Sequence, residues 1–210
     1  MNNLDTLLQE IDRRMAEKNS VREAALAESR RVIQQAAKIV KSIHRREWAE
    51  AETLLAEATT LAATMNEKTL ALPELYWTGY VLDAQKEYAE AHLLLAMVRG
   101  GALPTPDSLG VEDAVYLNGL AEAASELRRF ILDLVRHNDF AEAENLIGVM
   151  EDTYAALMTI DYPHALTNNL RRTLDVLRPV LERTRGDLTV SMKQQSLQAA
   201  LDRMAALLSK

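Results

Sequence analysis

The chain has 210 residues, no cysteine, a hydrophobic content of 48% and a formal net charge of −7. This hydrophobic content is enough to fill the core of one domain, which we place at residues 1–210. The lack of cysteine excludes disulfides, thiolate zinc sites and iron–sulfur clusters. The amino terminus lacks a secretion-signal layout and no apolar run approaches about 18 residues, so we expect a cytoplasmic protein without a membrane partner.

The composition predicts an all-α fold. Alanine, leucine and glutamate dominate, glycine and proline are scarce, and no β-branched run alternates with a period of two. The first predicted helix extends from about Leu4 to Ile43 without glycine or proline. At 1.5 Å per residue it would be roughly 60 Å long. We expect such a helix to pack along partners, including other subunits.

Six more helices are predicted, which gives seven in all. They cover about residues 47–66, 74–97, 111–135, 139–160, 163–184 and 188–208. Residues 99–110 are rich in glycine and proline and predict an exposed loop. Pro179 is expected to kink the sixth helix. Arg185-Gly186-Asp187 is expected to end the sixth helix and begin the seventh.

The first helix has a basic stripe. Between Ser29 and Arg46 the chain has six Lys or Arg residues and no acidic residue, despite the overall negative charge. Four of these cations fall within an arc of about 80° on a helical wheel, opposite an apolar face. They are Arg30, Lys38, Lys41 and Arg45. Evenly spaced cations along a rod match a phosphate backbone, whereas the alternative is a solvated helix face. His44 falls on the apolar side and is expected to be buried.

Two pairs of glutamates lie at helical spacing on successive predicted helices. Glu87 and Glu90 share one helix face, and Glu122 and Glu126 share another. If the two helices are neighbours, the four carboxylates can converge, and a divalent cation would let them stay ionised. An all-oxygen site favours Mg²⁺ or Mn²⁺. The alternative is that all four are surface residues.

Other architectures have less support. Glu-x-x-His, which a ferritin-like di-iron bundle needs on two helices, does not occur, and neither do a Walker loop or a Gly-x-Ser-x-Gly elbow. The phrase acid-aromatic-Ala-Glu-Ala begins at Glu47, Glu87 and Asp139. It is typical of a tetratricopeptide repeat, but the intervals of 40 and 52 residues lack the constant period of about 34 that such arrays need. A helical adaptor of this kind remains an alternative.

Several motifs together resemble the translin family, and especially its TRAX (translin-associated factor X) branch. They are Glu-Tyr-Ala-Glu-Ala at residues 87–91, Tyr-Leu-x-Gly-Leu-Ala-Glu-x-x-x-Glu-Leu-x-Arg at 116–129, Asp-Tyr-Pro at 161–163 and Arg-Gly at 185–186. The resemblance covers residues 20–190. It implies a seven-helix fold, assembly into a closed oligomeric barrel such as an octamer, and binding of single-stranded or short duplex nucleic acid, which we expect to be RNA or single-stranded DNA.

The resemblance also implies Mg²⁺-dependent endoribonuclease activity. The catalytic and metal-binding acids of TRAX map onto Glu87, Glu90, Glu122 and Glu126. TRAX usually has aspartate at the third position, and translin lacks a complete acidic set. The basic stripe lies in a region that contributes to nucleic-acid binding in the family. We therefore expect a homo-oligomeric, TRAX-like ribonuclease, with a non-catalytic nucleic-acid-binding scaffold as the alternative.

Overall fold

The structure, a computed structural model, describes residues 3–209, so Met1, Asn2 and Lys210 of the predicted domain lie outside the described residues. Within this range the chain forms helices and no strand, which confirms the all-α class. The helices are α1 (Leu4–His44), α2 (Trp48–Leu70), α3 (Pro73–Tyr76), α4 (Gly79–Arg99), α5 (Pro106–Leu109), α6 (Asp113–Arg136), α7 (Phe140–Leu157), α8 (His164–Thr167) and α9 (Leu170–Leu208).

The chain divides into two compact units. The first contains the residues up to His92 together with Thr105–Val115, and the second contains Leu93–Pro104 and the residues from Tyr116 onward. The single domain predicted at residues 1–210 stays a prediction.

In the first unit α1 packs against α2. The buried apolar residues of these two helices are Ala25, Val32, Ala36, Ile39, Ile43, Ala51, Leu55, Ala58, Ala62 and Met65. The many alanines permit close approach of the two backbones. Polar contacts add to the packing, because Lys68 pairs with Glu28 at 3.0 Å and Gln35 donates to Glu57 at 2.7 Å.

The predicted third helix is interrupted near its start. The structure has one turn, α3, followed by Trp77 and Thr78, before α4 begins at Gly79. The cause is local, because the Thr78 hydroxyl donates to the carbonyl of Leu75 at 2.6 Å and competes with continued helical bonding. The glutamate-bearing part of the prediction, on α4, is confirmed as helical.

The loop that follows α4 is only partly the exposed excursion that the sequence predicts. Gly101 and Leu103 are exposed, but Leu109 and Val111 are buried. The Asn66 side chain donates to the carbonyl of Gly110 at 2.9 Å, so the second half of the loop is held against α2. The prediction failed because its glycines and prolines report turn formation and not docking.

In the second unit α7 and α8 each pack against α9. Side chains of α6 also bond to this helix and to the turn before it. Asn118 donates to the carbonyl of Thr167 at 2.9 Å and accepts from the hydroxyl of Thr173 at 2.6 Å. These bonds fix the rotation of α6, which bears the second glutamate pair.

The predicted break at Arg185-Gly186-Asp187 is wrong, because α9 continues through it. A helix-ending glycine needs a positive φ, and Gly186 is not among the residues that have one. The flanking side chains are engaged instead: Arg185 bonds Glu151 of α7, and Asp187 bonds Arg128 of α6 at 2.8 Å. These contacts favour a continuous helix.

The helix predicted at residues 163–184 is instead interrupted near its start, between α8 and α9. Asn168 and Asn169 both have left-handed conformations, with φ of 47° and 61°. Asparagine adopts this conformation more readily than most residues, so the pair explains why α8 ends before α9 begins. Pro179 lies inside α9, and the predicted kink there stays a prediction.

Across residues 3–209, each helix is either too short or too polar to cross a lipid bilayer.

Candidate functional site

The first glutamate pair lies on α4 with its carboxylates close together. One oxygen of Glu87 and one of Glu90 lie within 4.8 Å of each other. Glu90 is only 8% exposed, and the side chain of Glu87 is 35% exposed. Burial of adjacent carboxylates costs free energy unless positive charge or hydrogen bonds offset it. The predicted helical pairing of these residues is present.

A lysine accompanies this pair. The ammonium of Lys86 lies 3.5 Å from Oε1 of Glu87, and its side chain is only 20% exposed. Sequence reasoning missed this residue because lysine next to glutamate is common on helix surfaces. A signal existed, since Lys86 precedes Glu90 by four residues and therefore shares its helix face.

The opposite side of α4 is anchored to α2. The Tyr88 hydroxyl lies 3.1 Å from Oγ1 of Thr59, which itself donates to the carbonyl of Leu55 at 2.9 Å. Because the single Thr59 hydrogen is used in that bond, Tyr88 must be the donor. On a helix with 100° per residue, Tyr88 points roughly away from the glutamate pair. This anchor fixes the direction in which α4 presents Glu87 and Glu90.

His92 completes the anchor. Its ring packs edge-on against Tyr88 with centroids 4.7 Å apart, and Nε2 lies 3.5 Å from Oγ1 of Thr59. Burial lowers the pKa of His92 from 6.5 to about 4, because the imidazolium would lose its hydration. Burial likewise raises the pKa of Tyr88. Both groups are therefore neutral at physiological pH.

The second glutamate pair lies on α6 in the second unit. Glu122 and Glu126 are four residues apart and therefore on one face, and both are partly buried. The rotation of α6 is fixed near this pair by Arg128, which donates to the Thr184 hydroxyl at 3.0 Å and to Asp187 at 2.8 Å.

Arg129 has a different environment from its neighbour Arg128. From its sequence position, one turn after Glu126, we expect an ion pair with a glutamate, and binding of the scissile phosphate is the alternative. The structure places Arg129 on the exposed side of α6, and none of the ion pairs among residues 3–209 includes it. The expected pairing is therefore wrong for the described part of the chain.

The basic stripe on α1 is exposed as predicted. All four cations face solvent, and no ion pair within the described range involves any of them, namely Arg30, Lys38, Lys41 and Arg45. Arg31, in contrast, lies 3.5 Å from Glu28. His44 is buried at 9% exposure, as expected. An exposed, unpaired stripe is what a nucleic-acid surface and a solvated face both require.

The chain is similar to a protein of known sequence and to proteins of known structure. No protein-family model matches the chain. An uncharacterized protein of Methanocaldococcus jannaschii, MJ0175, is 32% identical over 198 residues, which cover 93% of this chain and 87% of that protein.

Three solved structures are similar to the chain over most of its length. The crystal structure of AfC3PO is 32% identical with a TM-score of 0.82, covering 89% of this chain and 97% of that chain. The AfC3PO–duplex RNA complex is 33% identical with a TM-score of 0.77, at the same coverage. Apo-NeC3PO, at 23% identity and a TM-score of 0.78, covers 91% and 98% and supports the fold alone. The chain belongs to the translin/TRAX family, and C3PO proteins are among its relatives of known structure.

Proposed function

We propose that this chain binds RNA and cleaves it as a metal-dependent endoribonuclease of the cytoplasm. The observation that carries the proposal is the pair of adjacent carboxylate groups of Glu87 and Glu90 on α4, of which Glu90 is buried and Glu87 partly exposed. RNA as the partner is supported by AfC3PO, a relative at 33% identity whose structure was solved with duplex RNA. Single-stranded DNA is a second nucleic acid that the same surface could bind.

The proposed metal site contains a third carboxylate. We propose that Glu122 of α6 offers an oxygen to the same ion as Glu87 and Glu90. Opposite ligands of Mg²⁺ are roughly 4.2 Å apart, because its bonds are about 2.1 Å long, so the oxygens of Glu87 and Glu90, which lie within 4.8 Å of each other, need only small side-chain adjustments. Glu126, one turn further along α6, is proposed as the fourth acidic residue of the site. This all-oxygen donor set fits Mg²⁺ or Mn²⁺.

Different residues would bind the metal ion and the RNA substrate. Mg²⁺, when bound, would polarise a phosphodiester oxygen and lower the pKa of a water molecule. Glu87 and Glu90 would hold the ion, and the Tyr88–Thr59 bond fixes the side of α4 from which they are presented. The basic stripe defined above would hold the RNA backbone through its phosphates.

We also propose that the chain assembles into a closed homo-oligomeric barrel, with an octamer as one form. Exposed apolar residues at heptad spacing support self-association. On α1 they are Leu4, Leu8, Ile11 and Met15, and on α9 they are Leu197, Leu201, Met204 and Leu208. Solution mass tests this proposal, and a stable monomer at micromolar concentration would contradict it.

The test of the activity is cleavage of a fluorescent RNA oligomer. We expect cleavage with Mg²⁺ or Mn²⁺, none with EDTA, and a loss of at least about a hundredfold in Glu90→Gln and in Glu122→Gln. Glu144→Gln, which changes an exposed glutamate of α7, is the matched control and should retain full activity. Cleavage that survives EDTA or both site variants would remove the proposed site.

Binding without cleavage under all these conditions would favour the non-catalytic scaffold. A chain that neither binds nor cleaves RNA would favour the helical adaptor.

A further inference from the structure

Lys86 places a positive charge among the proposed metal ligands. Its ammonium lies 3.5 Å from Oε1 of Glu87, and four-fifths of its side chain is buried. On the helical wheel, Lys86, Glu90 and Glu87 fall within an arc of about 100°. A lysine side chain is seldom buried to this extent unless its charge is compensated, and the carboxylate of Glu87 provides such compensation.

Its charge conflicts with a cation on the same carboxylate. An ammonium and a divalent ion that both contact Glu87 would lie within a few ångströms of each other and repel strongly at the low dielectric of a partly buried site. The lysine stem has four flexible carbons, so the ammonium can turn aside while its helix stays fixed. Lys86 should therefore compete with the ion for Glu87.

The charge balance of the site indicates what the displaced ammonium would bind. The four carboxylates proposed for the site carry two more negative charges than a divalent ion neutralises. An RNA phosphodiester brings another negative charge, so its approach to the ion would be opposed. Lys86 supplies a positive charge beside the ion and offsets this repulsion.

We propose that Lys86 is the phosphate-binding residue of the site: it competes with the divalent ion for Glu87 and, when the ion is held, binds a non-bridging oxygen of the RNA phosphate. This inference rests on the proposed function. It assigns to one side chain both a limit on metal affinity and a direct interaction with the substrate.

The test measures metal affinity and cleavage separately in Lys86→Met. Mn²⁺ titrated into the full chain without RNA should bind about tenfold more tightly than to the unmodified protein, because a repelling charge is gone. Single-turnover RNA cleavage at saturating Mn²⁺ should fall about a hundredfold, because the ammonium that binds the phosphate is removed. A general folding defect would weaken both Mn²⁺ binding and RNA cleavage. Tighter Mn²⁺ binding together with slower cleavage is therefore specific to the loss of the Lys86 charge.

Two further variants control the experiment. Lys68→Met removes a lysine of the same unit that pairs with Glu28, and it should leave Mn²⁺ affinity and cleavage unchanged. Lys86→Arg retains the charge and should retain most of the cleavage. If Lys86→Met fails to fold, as judged by circular dichroism, Lys86→Gln replaces it.

The outcomes separate this inference from the proposed function. Unchanged Mn²⁺ affinity or unchanged cleavage in the charge-removing variant overturns the role of Lys86 and leaves the nuclease intact. Failure of the unmodified protein to bind Mn²⁺ or to cleave RNA overturns the proposed function, and this inference with it.

Discussion

The hydroxyl of Tyr88 donates to Oγ1 of Thr59 across 3.1 Å, and this bond joins α4 to α2 at the level of the glutamate pair. Tyr88 lies between Glu87 and Glu90 in the sequence but on the far side of the helix. The residues that hold the candidate site in place are thus interleaved with the residues that form it.

Tyr88→Phe should lower the free energy of unfolding by about 1 kcal/mol, because it removes one hydrogen bond and retains the buried ring. Urea unfolding at neutral pH measures this effect. Thr60→Val is the matched control, since the Thr60 hydroxyl bonds only its own helix at 3.2 Å and is exposed. A loss in Tyr88→Phe no larger than that in the control would contradict a role for this bond in packing α4.

His92 should make the fold sensitive to acid. Its pKa is lowered to about 4 in the folded chain, from 6.5, because burial disfavours the charged ring. The unfolded chain therefore takes up a proton at higher pH than the folded chain. Its contribution to stability is complete above pH 6.5 and is lost as the pH falls through about 4. The loss amounts to at most about 3 kcal/mol.

The measurement compares unfolding of the unmodified protein and His92→Gln at about pH 7 and about pH 4.5. The variant should lose less stability between these two conditions than the unmodified protein does. His164→Gln, which changes an exposed histidine, should retain the original pH dependence. Equal losses in all three proteins would show that His92 titrates normally in the folded chain.

Sequence patterns were most informative where the physical cause was local. The extent of α1, with no glycine or proline, was predicted to within one residue at its end, His44. Burial of His44 and exposure of the basic stripe followed from the 3.6-residue period. The position of each glutamate on a helix followed in the same way.

Errors arose where tertiary contacts outweighed local preference. Gly186 looked like a helix terminator, but bonds from Arg185 and Asp187 to other helices keep α9 continuous. Docking of the loop through Asn66 and the burial of the Lys86 side chain depend on neighbours that no short motif specifies. The cytoplasmic location stays a prediction.

Two glycines should respond in opposite ways to substitution by alanine. Gly186→Ala should stabilise the fold by about 0.5 to 1 kcal/mol, because a helix-interior glycine is replaced where no atom beyond its own stretch of helix lies within 4 Å of the added Cβ. Gly110→Ala should destabilise it by about 1 kcal/mol, because Gly110 has a φ of +64°. Thermal and urea unfolding measure both. A stabilising Gly110→Ala or a destabilising Gly186→Ala would contradict these backbone assignments.

The basic stripe should control the salt dependence of RNA binding. If Lys38 and Lys41 bind phosphates, the double variant Lys38→Gln/Lys41→Gln should bind RNA more weakly at low salt. The slope of log affinity against log salt concentration should then decrease by about 0.7 to 0.9 for each phosphate that the variant no longer neutralises. The control is Lys18→Gln on the same helix, whose ammonium pairs with Glu74 at 2.6 Å and should leave the slope unchanged. Fluorescence anisotropy with a non-cleavable RNA over a range of salt concentrations gives these slopes. Identical slopes for the unmodified protein and the double variant would mean that this face is only solvated, and that RNA binds elsewhere on the chain.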